Sequence, residues 1–183
     1  MSLSETEWKK GFIQLFKLPI ITTENGLIRD LEYKNYKRYR NSLIGPAYIT
    51  YYKNGDILQK LYYENDKLHR LDGPARIDYY KSGNIYYKTY YKNGELHRLD
   101  GPAFICYYDN GNIYYEIYYE NGKKHRLDGP ARIDYFKYDN IIYYEEYYEN
   151  GKLHRLNGPA VIWYYENGNI EHKEYYENGK LLL

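Results

Sequence analysis

The residues that could first be asked to do chemistry are four His-Arg pairs: His69-Arg70, His97-Arg98, His125-Arg126 and His154-Arg155. Imidazoles can hold zinc or move a proton. The spacing argues against both uses. The pairs recur at intervals of 28, 28 and 29 residues, so each occupies the same place in a repeating unit. If each unit contributes two strands, neighbouring copies stand about 10 Å apart at ~4.8 Å per strand, whereas zinc ligands must meet within ~2 Å of one ion. No copy has a local cysteine or second histidine to complete a site. These residues are expected to be a loop brace. In it imidazole, guanidinium and the next Asp (Asp72, Asp100, Asp128; Asn157 in the last copy) satisfy backbone groups. The single cysteine, Cys106, fails as a nucleophile on the same grounds. Its slot holds Thr50, Asp78, Asp134 or Trp163 in other units, so it reads as a substituted surface position. There is no Gly-rich phosphate loop either. No catalytic, cofactor-binding or metal-ligating residue is expected, and no cofactor.

The elements that carry these residues follow from the repeat. Gly-Pro-Ala stands at 45, 73, 101, 129 and 158. Between copies lie two β-rich runs joined by Asn-Gly or a close variant, the strongest short hairpin signal. Strands are expected near 47–52, 57–63, 75–80, 85–91, 103–108, 113–119, 131–136, 142–148, 160–165 and 170–176. The fold class is all-β: one elongated, twisted antiparallel meander of about ten to twelve strands. Tyr138-Asp139-Asn140-Ile141 replaces the usual turn and adds a residue, which predicts a bulge or wider loop. The units run 45–72, 73–100, 101–128, 129–157 and a truncated 158–183, preceded by a degenerate copy at 18–44. Residues 1–17 form a separate N-terminal segment. Within it Ser4 and Glu7 fit a capping box, and Trp8, Phe12, Leu15 and Phe16 share one helical face. A helix over 4–16 is expected to cap the array.

The chain has 183 residues, 26 Lys+Arg, 25 Asp+Glu and a formal net charge of +1. That balance supplies no field to attract nucleic acid, and membrane binding is not favoured. One cysteine suggests a reducing compartment, and no apolar run suggests a leader or spanning helix, so a cytoplasmic location is expected. Tyrosine is the excess residue, at 30 copies. Together with Asn, Ile and Lys it matches the codon bias of an AT-rich genome.

Comparison of the units separates two faces. Ala, Ile and Tyr recur unchanged in the first strand, as in Ala75, Ile77 and Tyr79, and alternation puts them on one face. That face is expected to be core. The positions between them vary and are expected to face solvent. There Tyr48, Arg76, Phe104, Arg132 and Trp163 are candidate partner contacts, being Arg and large aromatics. In the second strands Lys60, Lys88, Glu116, Glu145 and Lys173 are expected to be a solvated charge ladder.

The pattern Tyr-Tyr-x-Asn-Gly followed by Gly-Pro-Ala-x-Ile-x-Tyr-Tyr-x-Asn-Gly resembles the MORN repeat in the variant form of bacterial and giant-virus proteins. The likeness covers residues ~18–183. It departs from the ordinary unit in its length, in Pro-Ala and Tyr where Gly and Trp are usual, and in the Arg-Leu-Asp insertions at 70–72, 98–100 and 126–128. The resemblance implies a β-hairpin array used for protein or membrane association. If viral, the protein would work in host cytoplasm or virion. The function expected is a non-enzymatic scaffold with a protein partner on the variable face. A carbohydrate- or membrane-binding module that uses the tyrosine ladder is the alternative. Self-association is expected through the C-terminal edge strand 170–176.

Overall fold

The structure, a computed structural model, describes residues 45–182. The helix expected over 4–16 and the degenerate copy at 18–44 lie outside the described residues.

Each unit begins with a short strand: β1 (Tyr48–Tyr51), β5 (Arg76–Tyr79), β9 (Phe104–Tyr107), β13 (Arg132–Tyr135) and β17 (Val161–Tyr164). Each returns through a partner: β2 (Ile57–Leu61), β6 (Ile85–Thr89), β10 (Ile113–Ile117), β14 (Ile142–Glu146) and β18 (Ile170–Glu177). With β19 (Lys180–Leu182) they form an 11-stranded antiparallel sheet in which neighbours in sequence are neighbours in space. The turn chemistry explains the register. Gly55 takes φ 91° and its N–H bonds Tyr52 O at 2.9 Å, while Tyr52 N–H bonds Asp56 O at 2.8 Å. A left-handed Gly at this place makes a one-residue bulge, and the pairing shifts between Thr50 and Tyr51 accordingly. The same shift recurs in every unit. In the unit at 129 the turn is one residue longer: Phe136 N–H bonds Ile141 O and Tyr135 pairs with Ile142.

The long connection between units is not plain loop. It holds a second, small hairpin: β3 (Tyr63–Glu64) with β4 (Lys67–Leu68), β7 (Tyr91–Lys92) with β8 (Glu95–Leu96), β11 (Tyr119–Glu120) with β12 (Lys123–Lys124), and β15 (Tyr148–Glu149) with β16 (Lys152–Leu153). Strands β2 and β3 are one extended run broken at Tyr62. Its N–H turns to Ala75 O of the next unit and its O accepts His69 N–H. The same break falls at Tyr90, Tyr118 and Tyr147.

The Leu tail folds back on its own unit. Leu181 pairs with Tyr176 and Leu182 with Tyr175, which covers that stretch of β18 with β19.

The constant face is partly as expected. Ala75, Ala103, Ala131 and Ala160 are fully buried, and Ile105, Ile133 and Ile162 nearly so. Two expectations need correction. The variable positions are only partly a solvent face: Asp78, Cys106, Asp134 and Val161 are 8%, 3%, 2% and 2% exposed, while Tyr48, Arg76, Phe104, Arg132 and Trp163 are half-exposed. Among the described residues the large side chains of the sheet lie beside these smaller ones and cover them. Cys106 pairs with Tyr87 on one side and Tyr115 on the other. It is therefore buried, not a surface substitution. Nor is the charge ladder fully solvated. Lys60, Lys88, Glu116 and Glu145 pair with the constant isoleucines and are half-buried, Lys173 alone being exposed. A tyrosine of the next unit meets each of the first four. Lys60 and Lys88 lie 5.4 and 5.2 Å from the Tyr79 and Tyr107 ring centres. Tyr135 and Tyr164 instead donate their hydroxyls to Glu116 at 3.2 Å and Glu145 at 2.9 Å. One tyrosine slot thus meets a cation with its ring face and an anion with its hydroxyl.

Candidate functional site

On the variable face a chain of flat groups crosses the sheet. The Arg76 guanidinium lies 5.0 Å from the Tyr87 ring. Tyr87 stacks on Phe104 at 5.5 Å and 15°, and Phe104 on Tyr115 at 5.4 Å and 6°. Arg132 lies between Tyr115 and Tyr144, 5.4 Å from each. Tyr144 meets Trp163 at 5.1 Å, and Trp163 meets His172 at 4.9 Å.

Sheet register builds this ladder. Tyr87 sits directly opposite Cys106, yet its ring reaches diagonally to Phe104. The ladder therefore zigzags between two positions of the first strand. In the unit at 158 the first of these is Val161, too small to stack, and the second, Trp163, takes over. Tyr48 occupies the corresponding slot of β1 and packs edge-on against Tyr63 at 5.6 Å. Opposite Asp78, where later units have tyrosine, stands Gln59, which donates to Asp78 at 2.8 Å.

The arginines are fixed as well as stacked. Arg132 makes two 2.7 Å bonds to Asp134, and Arg76 bonds both oxygens of Asp78 at 2.7 and 3.1 Å. Paired forks of this kind are planar and directional. The hydrogen bond to Asp134 pushes the Arg132 guanidinium pKa further up. Burial pushes the Tyr115 phenol up to about 12. Lys124, Tyr144 and Tyr148 all bond Glu146, which closes a polar cluster beneath Arg132. The candidate contacts Arg76, Phe104, Arg132 and Trp163 thus fall in one half-exposed strip, and Tyr48 lies in its line. Their partners Tyr87, Tyr115, Tyr144 and His172 were not singled out from sequence. The tyrosine two residues after Ile85, Ile113 and Ile142, replaced by His172 after Ile170, was the available signal.

The His-Arg pairs lie elsewhere, between units. Nδ1 of His69, His97, His125 and His154 accepts the backbone N–H of Asn93, Asn121, Asn150 and Asn178 at 3.0–3.1 Å. An accepting Nδ1 places the ring proton on Nε2. There Glu64, Glu120 and Glu149 face His69, His125 and His154 at 3.1, 3.7 and 3.4 Å. Arg70, Arg98, Arg126 and Arg155 lie 4.0, 4.0, 4.0 and 3.8 Å from the rings of Tyr62, Tyr90, Tyr118 and Tyr147. The first three also bond Asp72, Asp100 and Asp128 through Nε, and all four reach the carbonyl of the following proline. Among the described residues no three His, Cys, Asp or Glu side chains gather as a metal site.

The sequence profile of the MORN repeat variant matches residues 47–65, 75–96, 103–121, 142–156, 160–173 and 170–183. The chain belongs to the MORN repeat variant family. MORN repeats are interaction modules for proteins or membranes, and the matched segments hold most of the ladder, Arg132 excepted. Three of the four His-Arg-Leu loops fall between the matched segments. Among curated proteins no match is found.

Proposed function

We propose that this chain is a non-enzymatic scaffold whose protein partner docks on the arginine-aromatic ladder. The observation that carries this is the ladder's continuity from Arg76 to His172. Flat groups already ordered by stacking and by carboxylate pairs lose little entropy when a partner covers them. Redundant units suit an extended surface better than a single reaction centre. The exposed rings of Tyr86 and Tyr114, 42% and 36% exposed in equivalent slots, support the second reading, a glycan- or membrane-binding face.

The test is recovery of partners from source cells by wild type and by Arg76→Lys/Arg132→Lys. Lysine keeps the charge facing Asp78 and Asp134 but loses the stacked plane. Recovery is expected to fall at least about tenfold. Equal recovery by a normally melting variant would remove the ladder from the function. A glycan array and anionic vesicles, run on the same samples, separate the second reading from the first.

A further inference from the structure

One leucine per unit sits at the tip of the loop between units, and all four are exposed: Leu71 78%, Leu99 77%, Leu127 78% and Leu156 75%. With Tyr138, also 75%, these are the most exposed large apolar residues among those described. Their loops are rigid. The Arg next to each leucine is clamped on a tyrosine ring and on the carbonyl of the following proline. The chain winds so closely around it that a Cβ at Gly73, Gly101 or Gly129 would come within 3.0–3.1 Å of the guanidinium carbon. Backbone bonds such as Arg98 N–H to Tyr119 O stack one loop on the next. The result is a row of fixed apolar tips, about 10 Å from one to the next at two strands per step. Between adjacent tips lies a groove of about 540 Å³, lined by Leu99, Leu127, Tyr118, Glu120 and His125 and flanked by the Arg98-Asp100 and Arg126-Asp128 pairs.

We propose that this leucine row is the contact surface for a second copy of the chain. The two rows lie antiparallel, and each leucine enters a groove between two loops of the other copy. Pitch favours this occupant, because only another such array necessarily carries apolar tips at the same interval. Charge agrees. Each of the first three loops shows an exposed carboxylate, Asp72, Asp100 or Asp128, beside an arginine. A twofold arrangement sets the carboxylate of one copy against the guanidinium of the other. The same carboxylates disfavour an anionic bilayer, and the near balance of charge selects neither a strongly acidic nor a strongly basic partner. The row shares no residue with the ladder, so the two proposals fail separately.

Sedimentation velocity of the full chain up to about 100 µM tests the proposal. Wild type is expected to be a dimer. Leu99→Asp/Leu127→Asp is expected to raise the dimer dissociation constant about 100-fold or more, with melting unchanged when both proteins are compared at concentrations where they are monomeric, because in the single chain both side chains are already exposed. Tyr138→Ser, 75% exposed on the opposite row of turns, is expected to leave the dimer unchanged. A wild type that stays monomeric overturns the proposal, as does a dimer that survives the double substitution. If the acidic variant fails to fold, Leu99→Gln/Leu127→Gln carries the same test.

Discussion

Asp66 is the residue most at odds with its surroundings. It takes φ 60°, where the matching place in later hairpins is held by Gly94, Gly122, Gly151 and Gly179. A side chain there costs about 1 kcal/mol that glycine avoids. Asp66→Gly is expected to stabilise the chain by up to about that amount, read as a higher denaturant midpoint at unchanged slope. Cys106 is set by its neighbours in the opposite sense. Burial between Tyr87 and Tyr115 pushes its thiol pKa up and shuts out reagents. It should react with an aromatic disulfide only as fast as the sheet opens. Rapid labelling of the native chain would contradict the burial. At both residues a local rule is overridden, by the hairpin's shape in one case and by flanking rings in the other.

At the scale of elements, the small hairpins β7–β8, β11–β12 and β15–β16, and the β18–β19 turn, each donate a bond to the histidine of the unit before. Removing the Asn93 N–H acceptor by His69→Leu should cost about 1 kcal/mol, because a part-buried hydrogen bond is lost and its donor is left to water. Hydrogen exchange gives the direct check: the Asn93 amide, protected in wild type, should exchange faster in the variant while the amides of β13 stay slow. Much of this architecture was legible. The Ala-Ile-Tyr columns and Asn-Gly turns placed the large strands within a residue or two, and the extra residue at 138–141 read correctly as a wider turn. The small hairpins were not legible, since a strand as short as Lys67–Leu68 has no period to detect. Alternation also misled about Asp78 and Cys106. It sorts residues between two faces but cannot say that the sheet's own large side chains will cover the smaller ones beside them. The ladder was half legible: Arg76, Phe104, Arg132 and Trp163 stood out by type, but the diagonal that joins them needs the register.

Across the whole molecule, stability should be nearly a sum over units and their junctions. Deleting residues 101–128 joins Asp100 to Gly129 in phase and brings Arg132 beside Tyr87, much as it now lies beside Tyr115. The shortened chain should still fold, with a strand-rich circular dichroism spectrum and a smaller denaturant slope. Collapse of all structure would show that the units are not interchangeable. Alkali should act on the array as a whole. Burial raises the phenol pKa of Tyr115 and Tyr148 to about 12 and also raises that of Tyr87, Tyr119, Tyr135, Tyr143 and Tyr144. The unfolded chain releases these protons near pH 10 while the folded one holds them. Stability is therefore intact below about pH 10 and lost as pH rises toward 12, and ultraviolet titration should show late phenols ionising together with unfolding. Interchangeable units also bring a risk of miscounting. Strands β5 and β13 have the same sequence, Arg-Ile-Asp-Tyr, so a folding chain could seat one in the berth of the other. The turn after β13 is the tell-tale. Asn84 reaches only Asp109 O on the ordinary turn of the unit at 101, at 2.7 Å, whereas Asn112 reaches Lys137 O at 3.0 Å and also Tyr138 O at 3.5 Å on the longer one. The odd unit acts as an index mark on a ruled scale, by which an array of near-copies knows which copy it is closing.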